Sequence, residues 1–156
     1  MRNNIRFLAQ SGVIAGLYAL LTLINPLSMP GMIEIRLSEA LTVLPIVFPS
    51  AIPGLAVGCL TANLLHGAML PDVIFGTLAT LIAAGLTRLT RKKTVIAALM
   101  PALCNGVIVG ILMNRVYALN MPLALCMLSV FASEALVCLT LGLLLLRGIG
   151  KTGLKP

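Results

Sequence analysis

The sequence predicts an all-α integral membrane protein, a bundle of six transmembrane helices with both termini on the cytoplasmic side. Three observations carry that expectation. Of the 156 residues 60% are hydrophobic, and the mean hydropathy is +1.10. Only 10% are charged, against about 25% in an ordinary soluble domain. The 11 basic residues gather at a few points between long apolar runs instead of spreading over a face. A soluble domain of this size leaves much of its surface wet and cannot hide so much apolar area. The same composition excludes a disordered chain and a coiled coil. At about 20 residues per span, residues 1–156 read as one integral membrane unit with no room for a second domain. A net charge of +7 and a pI near 9.8 would suggest nucleic acid on a soluble protein. Here the charges act as topology signals, the surrounding partner is the lipid bilayer, and no nucleic-acid partner is implied.

Taken in order, Arg2 and Arg6 precede an apolar run over 7–24. A basic start before an apolar stretch is also the layout of a secretory signal. This run is long, ends in Asn25-Pro26 without a small-residue cleavage site, and is followed by further spans, so it reads as the first helix. The stretch 37–65 is long for one span and short for two, and Pro45, Pro49 and Pro53 interrupt it. Clear runs follow at 73–86, 95–113 and 122–146.

Charge parity resolves the ambiguous stretch. Arg88, Arg91, Lys92 and Lys93 form a dense basic loop, and such loops face the cytoplasm. Arg2 and Arg6 share that side only if an even number of crossings lies between, so 37–65 must cross twice, with its break near 49–53. Arg147, Lys151 and Lys155 then return to the same side after two more crossings. Nine basic residues lie inside, and Arg36 and Arg115 outside. The second and third helices are short and are expected to be tilted or covered by neighbours.

With that topology all four acidic residues, Glu34, Glu39, Asp72 and Glu134, fall in the outer half or near the midplane. A carboxylate at the bilayer centre costs about 2.5–3.5 kcal/mol on insertion scales, so it faces a protein interior or a wet cavity. With Arg36, Asn63, His66 and Asn105, the acids read as a polar pocket open to the outside. Plainer roles exist for several: Asp72 as a helix cap, Glu34, Arg36 and Glu39 as a solvated loop, His66 as a loop hydrogen-bonder, Asn63 and Asn105 as interhelical glue. Glu134 is hardest to assign such a role. Phe131, three residues earlier on the same helix, suits a flat heterocycle that stacks as well as donates, although core packing would also explain it.

Ser11, Ala15 and Ala19 stand at four-residue spacing on the first helix, with Gly12 and Gly16 beside them. Small residues so spaced admit a second helix closely, from this chain or from another subunit. Cys59, Cys104, Cys126 and Cys138 lie in apolar runs without ligand spacing, so no metal site or disulfide is readable and they count as small apolar residues. There is no G-x-x-x-x-G-K-[ST] loop, no G-x-S-x-G and no H-E-x-x-H. No cofactor or catalytic set is implied, and the chain cannot bind ATP in the P-loop manner.

Residues 33–45, Ile33-Glu34-Ile35-Arg36-Leu37-Ser38-Glu39-Ala40-Leu41-Thr42-Val43-Leu44-Pro45, resemble the signature of QueT-type proteins. So do Ala51-Ile52-Pro53-Gly54-Leu55 with Cys59-Leu60-Thr61-Ala62-Asn63-Leu64, and Asp72-Val73-Ile74-Phe75-Gly76-Thr77-Leu78-Ala79-Thr80. The resemblance covers nearly the whole chain and is densest over 33–90. It implies a substrate-binding (S) component of an energy-coupling factor (ECF) transporter, an importer powered by ATP. The implied substrate is a queuosine precursor, 7-cyano- or 7-aminomethyl-7-deazaguanine. The implied partners are a transmembrane coupling protein and two cytoplasmic ATPases, with Ser11, Ala15 and Ala19 matching the small-residue stripe that contacts the coupling protein. The chemistry agrees: a guanine-like edge offers an N–H and an amine side by side, which a carboxylate accepts as a fork. Glu34, Glu39, Asp72 and Glu134 suit that task, and Asn63, Asn105 and Arg36 suit the carbonyl. Three other readings stay open: a vitamin-like substrate on the same fold, an assembly protein without ligand, and a membrane enzyme using Glu34, Glu39, Asp72 and His66, for which no nucleophile or metal set is evident.

Overall fold

Segments that are apolar on nearly every side become helices, and the computed structural model, which describes residues 2–25, 35–117 and 121–151, contains no strand among them. Helix α1 spans Arg2–Leu23. A 3-10 helix follows at Leu37–Ile46, then α2 at Ala51–Leu65, α3 at Leu70–Leu89 and α4 at Thr94–Arg115. The last rod, Leu123–Lys151, is α5 (Leu123–Val137), a π-helical turn (Cys138–Gly142) and α6 (Leu143–Lys151). Glu34 and Lys155 lie outside the described residues.

Four of these helices are long and apolar enough to cross a membrane: Asn4–Leu23, Leu70–Leu89, Thr94–Arg115 and Leu123–Lys151. The other two are short, 10 residues in the 3-10 helix and 15 in α2. The turn between them, at 47–50, falls at the proline break expected from the sequence. The surface is that of a protein in lipid. Leu89 is 79% exposed and Leu8 69%, whereas Glu39 is 1% exposed.

The 3-10 helix is the centre of the bundle. Eight of its ten residues, Ser38 to Pro45, are buried, and it touches every other helix. A helix apolar all round must be covered all round, and lipid cannot satisfy loose backbone polar groups, so protein surrounds it. Its 3-10 winding stretches ten residues over about 20 Å. Arg88, from the end of α3, seals its last turn. One guanidinium nitrogen, Nη1, donates to the carbonyls of Pro45 and Ile46, each at 3.0 Å, and of Val47 at 3.4 Å. A cation at a helix C-terminus meets both the orphan carbonyls and the negative end of the dipole.

Small residues set the close approaches, as expected where packing rather than water drives association. A Cβ added at Gly54 would lie 2.7 Å from Ser11 O, and one at Gly58 would lie 2.8 Å from both Ala15 O and Tyr18 Cβ. Helices α1 and α2 therefore run side by side in the same direction, and Ser11 Oγ reaches Ser50 O at 2.8 Å. The stripe of Ser11 and Ala15 thus has a close partner within the chain, and Ala19 is buried as well. The open face of α1 is the neighbouring one, where Gly12 and Gly16 have nothing within 4 Å of a built Cβ. Helix α4 keeps Pro101 in its interior. Proline deprives the carbonyl four residues earlier of its donor, and Thr87 Oγ1 supplies that carbonyl, Ala97 O, from α3 at 3.2 Å.

The glycine packing and the Arg88 seal each predict stability effects. Gly58→Ala should lower the unfolding free energy in detergent by about 1–3 kcal/mol through overpacking, while Gly12→Ala should be neutral or gain up to about 1 kcal/mol from helix propensity. Equal effects in a thermal melt would contradict this packing. Arg88→Met should cost about 1.5–3 kcal/mol, the range for hydrogen bonds to a charged group, with Arg88→Lys intermediate.

Candidate functional site

A polar group inside an apolar bundle must be matched by another, and the buried polar side chains form connected sets. All three described carboxylates are buried: Glu39 at 1% exposure, Asp72 at 2% and Glu134 at 7%.

The first set is built at the α2–α3 turn. Gly67, at φ 68°, occupies the left-handed conformation that glycine adopts freely. Its N–H bonds Leu64 O at 3.2 Å, and Ala68 N–H bonds Asn63 O at 3.0 Å, closing α2 with a Schellman motif. That tight reversal brings Asn63 against the start of α3. Asn63 Nδ2 lies 3.5 Å from Asp72 O and 3.6 Å from Cys59 Sγ. Gly76 is the floor of this corner, since a Cβ there would sit 3.3 Å from Asn63 Nδ2 and 3.5 Å from Asp72 Oδ1. Tyr117, just beyond α4, donates its hydroxyl to Asp72 Oδ2 at 3.0 Å. Asp72 is thus a buried acceptor as well as a first-turn acid of α3.

The second set joins α1 to the 3-10 helix. Tyr18 donates its hydroxyl to Glu39 Oε1 at 2.5 Å, and Thr22 Oγ1 donates to Ser38 Oγ at 2.7 Å. Cys59 links the two sets. Its sulfur accepts from Thr80 Oγ1 at 3.3 Å and interacts with the Tyr18 hydroxyl. Arg36 stands immediately before the 3-10 helix, as its N-cap residue.

The third set lies deeper, between α4 and α5. Asn105 Nδ2 donates to Glu134 Oε1 at 2.9 Å and Oε2 at 3.0 Å. Asn105 Oδ1 is buried and has no hydrogen-bond partner, a loss of about 1–3 kcal/mol for a neutral acceptor. One helical turn on from Glu134, Cys138 Sγ lies 3.5 Å from Glu39 O and from Thr42 Oγ1. Tyr117, Asp72, Asn63, Cys59, Tyr18 and Glu39 are thus linked in series, and Asn105 with Glu134 is a separate pair one helical turn from Cys138.

Of the residues singled out from sequence, Glu39, Asn63 and Asp72 belong to the linked series and Asn105 and Glu134 to the pair, with Arg36 at the start of the 3-10 helix. His66 belongs to neither. It is the half-buried cap of α2, with its backbone N–H on Ala62 O at 2.9 Å. Phe131 lines a shallow apolar groove of about 340 Å³ with Leu103, Gly106, Val107, Ala124, Met127 and Leu128. Tyr18, Thr42, Thr80 and Tyr117 were not singled out, although Tyr18 and Tyr117 are the only two tyrosines in the chain. Cys59 and Cys138 are more than small apolar residues, since both sulfurs engage polar partners. Cys126 does sit in an apolar cluster with Val109, Met113 and Val130. Among the described residues no group of three His, Cys, Asp or Glu side chains is placed to hold a metal ion.

The three buried carboxylates give the interior acceptors that would suit a donor-rich polar solute. No curated protein and no solved structure matches the chain. The family model described as QueT transporter matches residues 8–151. A membrane-type helical bundle with buried carboxylates and a match over nearly its whole length make this chain a member of the QueT transporter family.

Proposed function

We propose that this transporter is the substrate-binding S component of an energy-coupling factor importer. It takes up a queuosine precursor, 7-cyano- or 7-aminomethyl-7-deazaguanine, through a pocket open to the outside. The reading includes six crossings with both termini cytoplasmic, the two short helices crossing inside the bundle. It also includes a transmembrane coupling protein and two cytoplasmic ATPases as partners, since the chain carries no phosphate-binding loop of its own.

The observation that carries it is the burial of three carboxylates in a bundle whose outside is apolar. Each accepts from a neutral donor in the bundle, and acids in that setting are costly. A heterocycle bearing an N–H, an exocyclic amine and, in one precursor, a cationic aminomethyl group offers them donors. Arg36, Glu39, Asn63, Asp72, Asn105 and Glu134 form the proposed binding set, with Tyr18 orienting Glu39. Glu34 belongs to it by sequence position. Because Ser11 and Ala15 pack on Gly54 and Gly58, the face of α1 assigned to the coupling protein is the open one bearing Gly12 and Gly16.

The purified chain should bind a 7-deazaguanine without ATP. At a hundredfold excess over Kd the ligand should add about 2.7 kcal/mol to stability, seen as a raised melting temperature. No heat in a titration and no thermal shift with any such compound would end the proposal, and competition by a vitamin would redirect it. Gly12→Leu with Gly16→Leu should leave that binding intact and abolish cellular uptake. Undiminished uptake would place the coupling face elsewhere.

A further inference from the structure

Asn105 and Glu134 form an element that is more specific than a general polar lining. The Asn105 amide has one donor group and one acceptor. Its donor, Nδ2, spans both oxygens of Glu134 at 2.9 and 3.0 Å. The opposite amide orientation would set oxygen against two carboxylate oxygens, so the carboxylate fixes which way the amide points. The acceptor, Oδ1, is left buried and unpartnered on a residue that is 3% exposed. An ionised carboxylate is itself acceptor-only. One N–H serves both carboxylate oxygens, and beside the second N–H the pair offers Oδ1 and the remaining lone pairs of the carboxylate as acceptors.

We infer that Asn105 Oδ1 and the Glu134 carboxylate read a donor–donor edge of the ligand, an N–H beside an exocyclic amine on one side of a planar heterocycle. Discrimination follows from the same geometry. A ring with an acceptor nitrogen at that edge meets Asn105 Oδ1 lone pair to lone pair. A ring lacking the amine forfeits a hydrogen bond to a buried acceptor, and sites built to bond such a group discriminate against analogues without it. Gly106, next to Asn105, lets α5 pack closely here, since a Cβ on it would lie 3.0 Å from Phe131 Cβ. The two helices bearing the pair are therefore in direct contact, and the acceptors keep their spacing. This assignment rests on the proposal that the chain binds a deazapurine.

The experiment crosses ligand deletion with side-chain change, using the full chain in detergent. Binding of 7-deazaguanine, 7-deazahypoxanthine (no exocyclic amine) and 7-deazaadenine is measured on the wild type, Glu134→Gln and Asn105→Ser. In the wild type, loss of the amine should weaken binding at least tenfold, and 7-deazaadenine should bind more weakly still. In Glu134→Gln, whose amide now brings a donor, the amine deletion should cost less than threefold. Each ratio is internal to one variant, so a smaller folded fraction cancels. If Glu134→Gln yields no folded protein, Asn105→Ser provides the same comparison. An unchanged amine penalty in the folded variants would overturn the assignment while leaving deazapurine binding intact. Failure of the wild type to bind any of the three compounds would instead overturn the functional reading on which it rests.

Discussion

Polar atoms enclosed by an apolar shell have only one another to bond, and that constraint organises this molecule. It explains why Tyr18 reaches across to Glu39, why Thr87 serves the carbonyl that Pro101 strands, and why Arg88 spends one nitrogen on three main-chain oxygens. In water each of these groups would find solvent, and each bond would be worth little. Without water, helix and side chain bond chiefly to one another, and the layout of helices follows the pairing as much as the packing.

Much of this was legible in the residues. An acid or an asparagine in an apolar run is conspicuous because its insertion is costly, so Glu39, Asn63, Asp72, Asn105 and Glu134 could be picked out without coordinates. The proline break also marked where the 37–65 stretch turns. What stayed hidden was of another kind. Cysteine, threonine and tyrosine are ordinary in membrane helices, so Cys59, Thr80 and Tyr18 carry no sequence signal until tertiary packing brings them together. Arg88 reads as a topology charge, and only the position of the 3-10 helix gives it a second task. The winding of that helix, and the π turn at Cys138–Gly142, depend on neighbours on all sides. Local composition does not encode them.

Direction was harder still. Three residues along a helix place two side chains about 60° apart, close enough to share a face or to straddle its edge. Glu134 and Phe131 straddle it: the carboxylate is buried on Asn105 and the ring lines the groove beside Leu128. The stripe on α1 divides in the same manner. Ser11 and Ala15 meet α2, while Gly12 and Gly16, one position on, stay uncovered. Periodicity finds a seam without saying which side of it is already occupied.

The central 3-10 helix has a mechanical corollary. Ten residues wound three to the turn extend about 20 Å, whereas the same ten wound as an α-helix would extend about 15 Å. The 3-10 helix, with Glu39 near one end and the carbonyls gripped by Arg88 at the other, therefore holds roughly 5 Å of length in its winding. A change of pitch there would shift one face of the protein relative to the other without any span sliding through the bilayer.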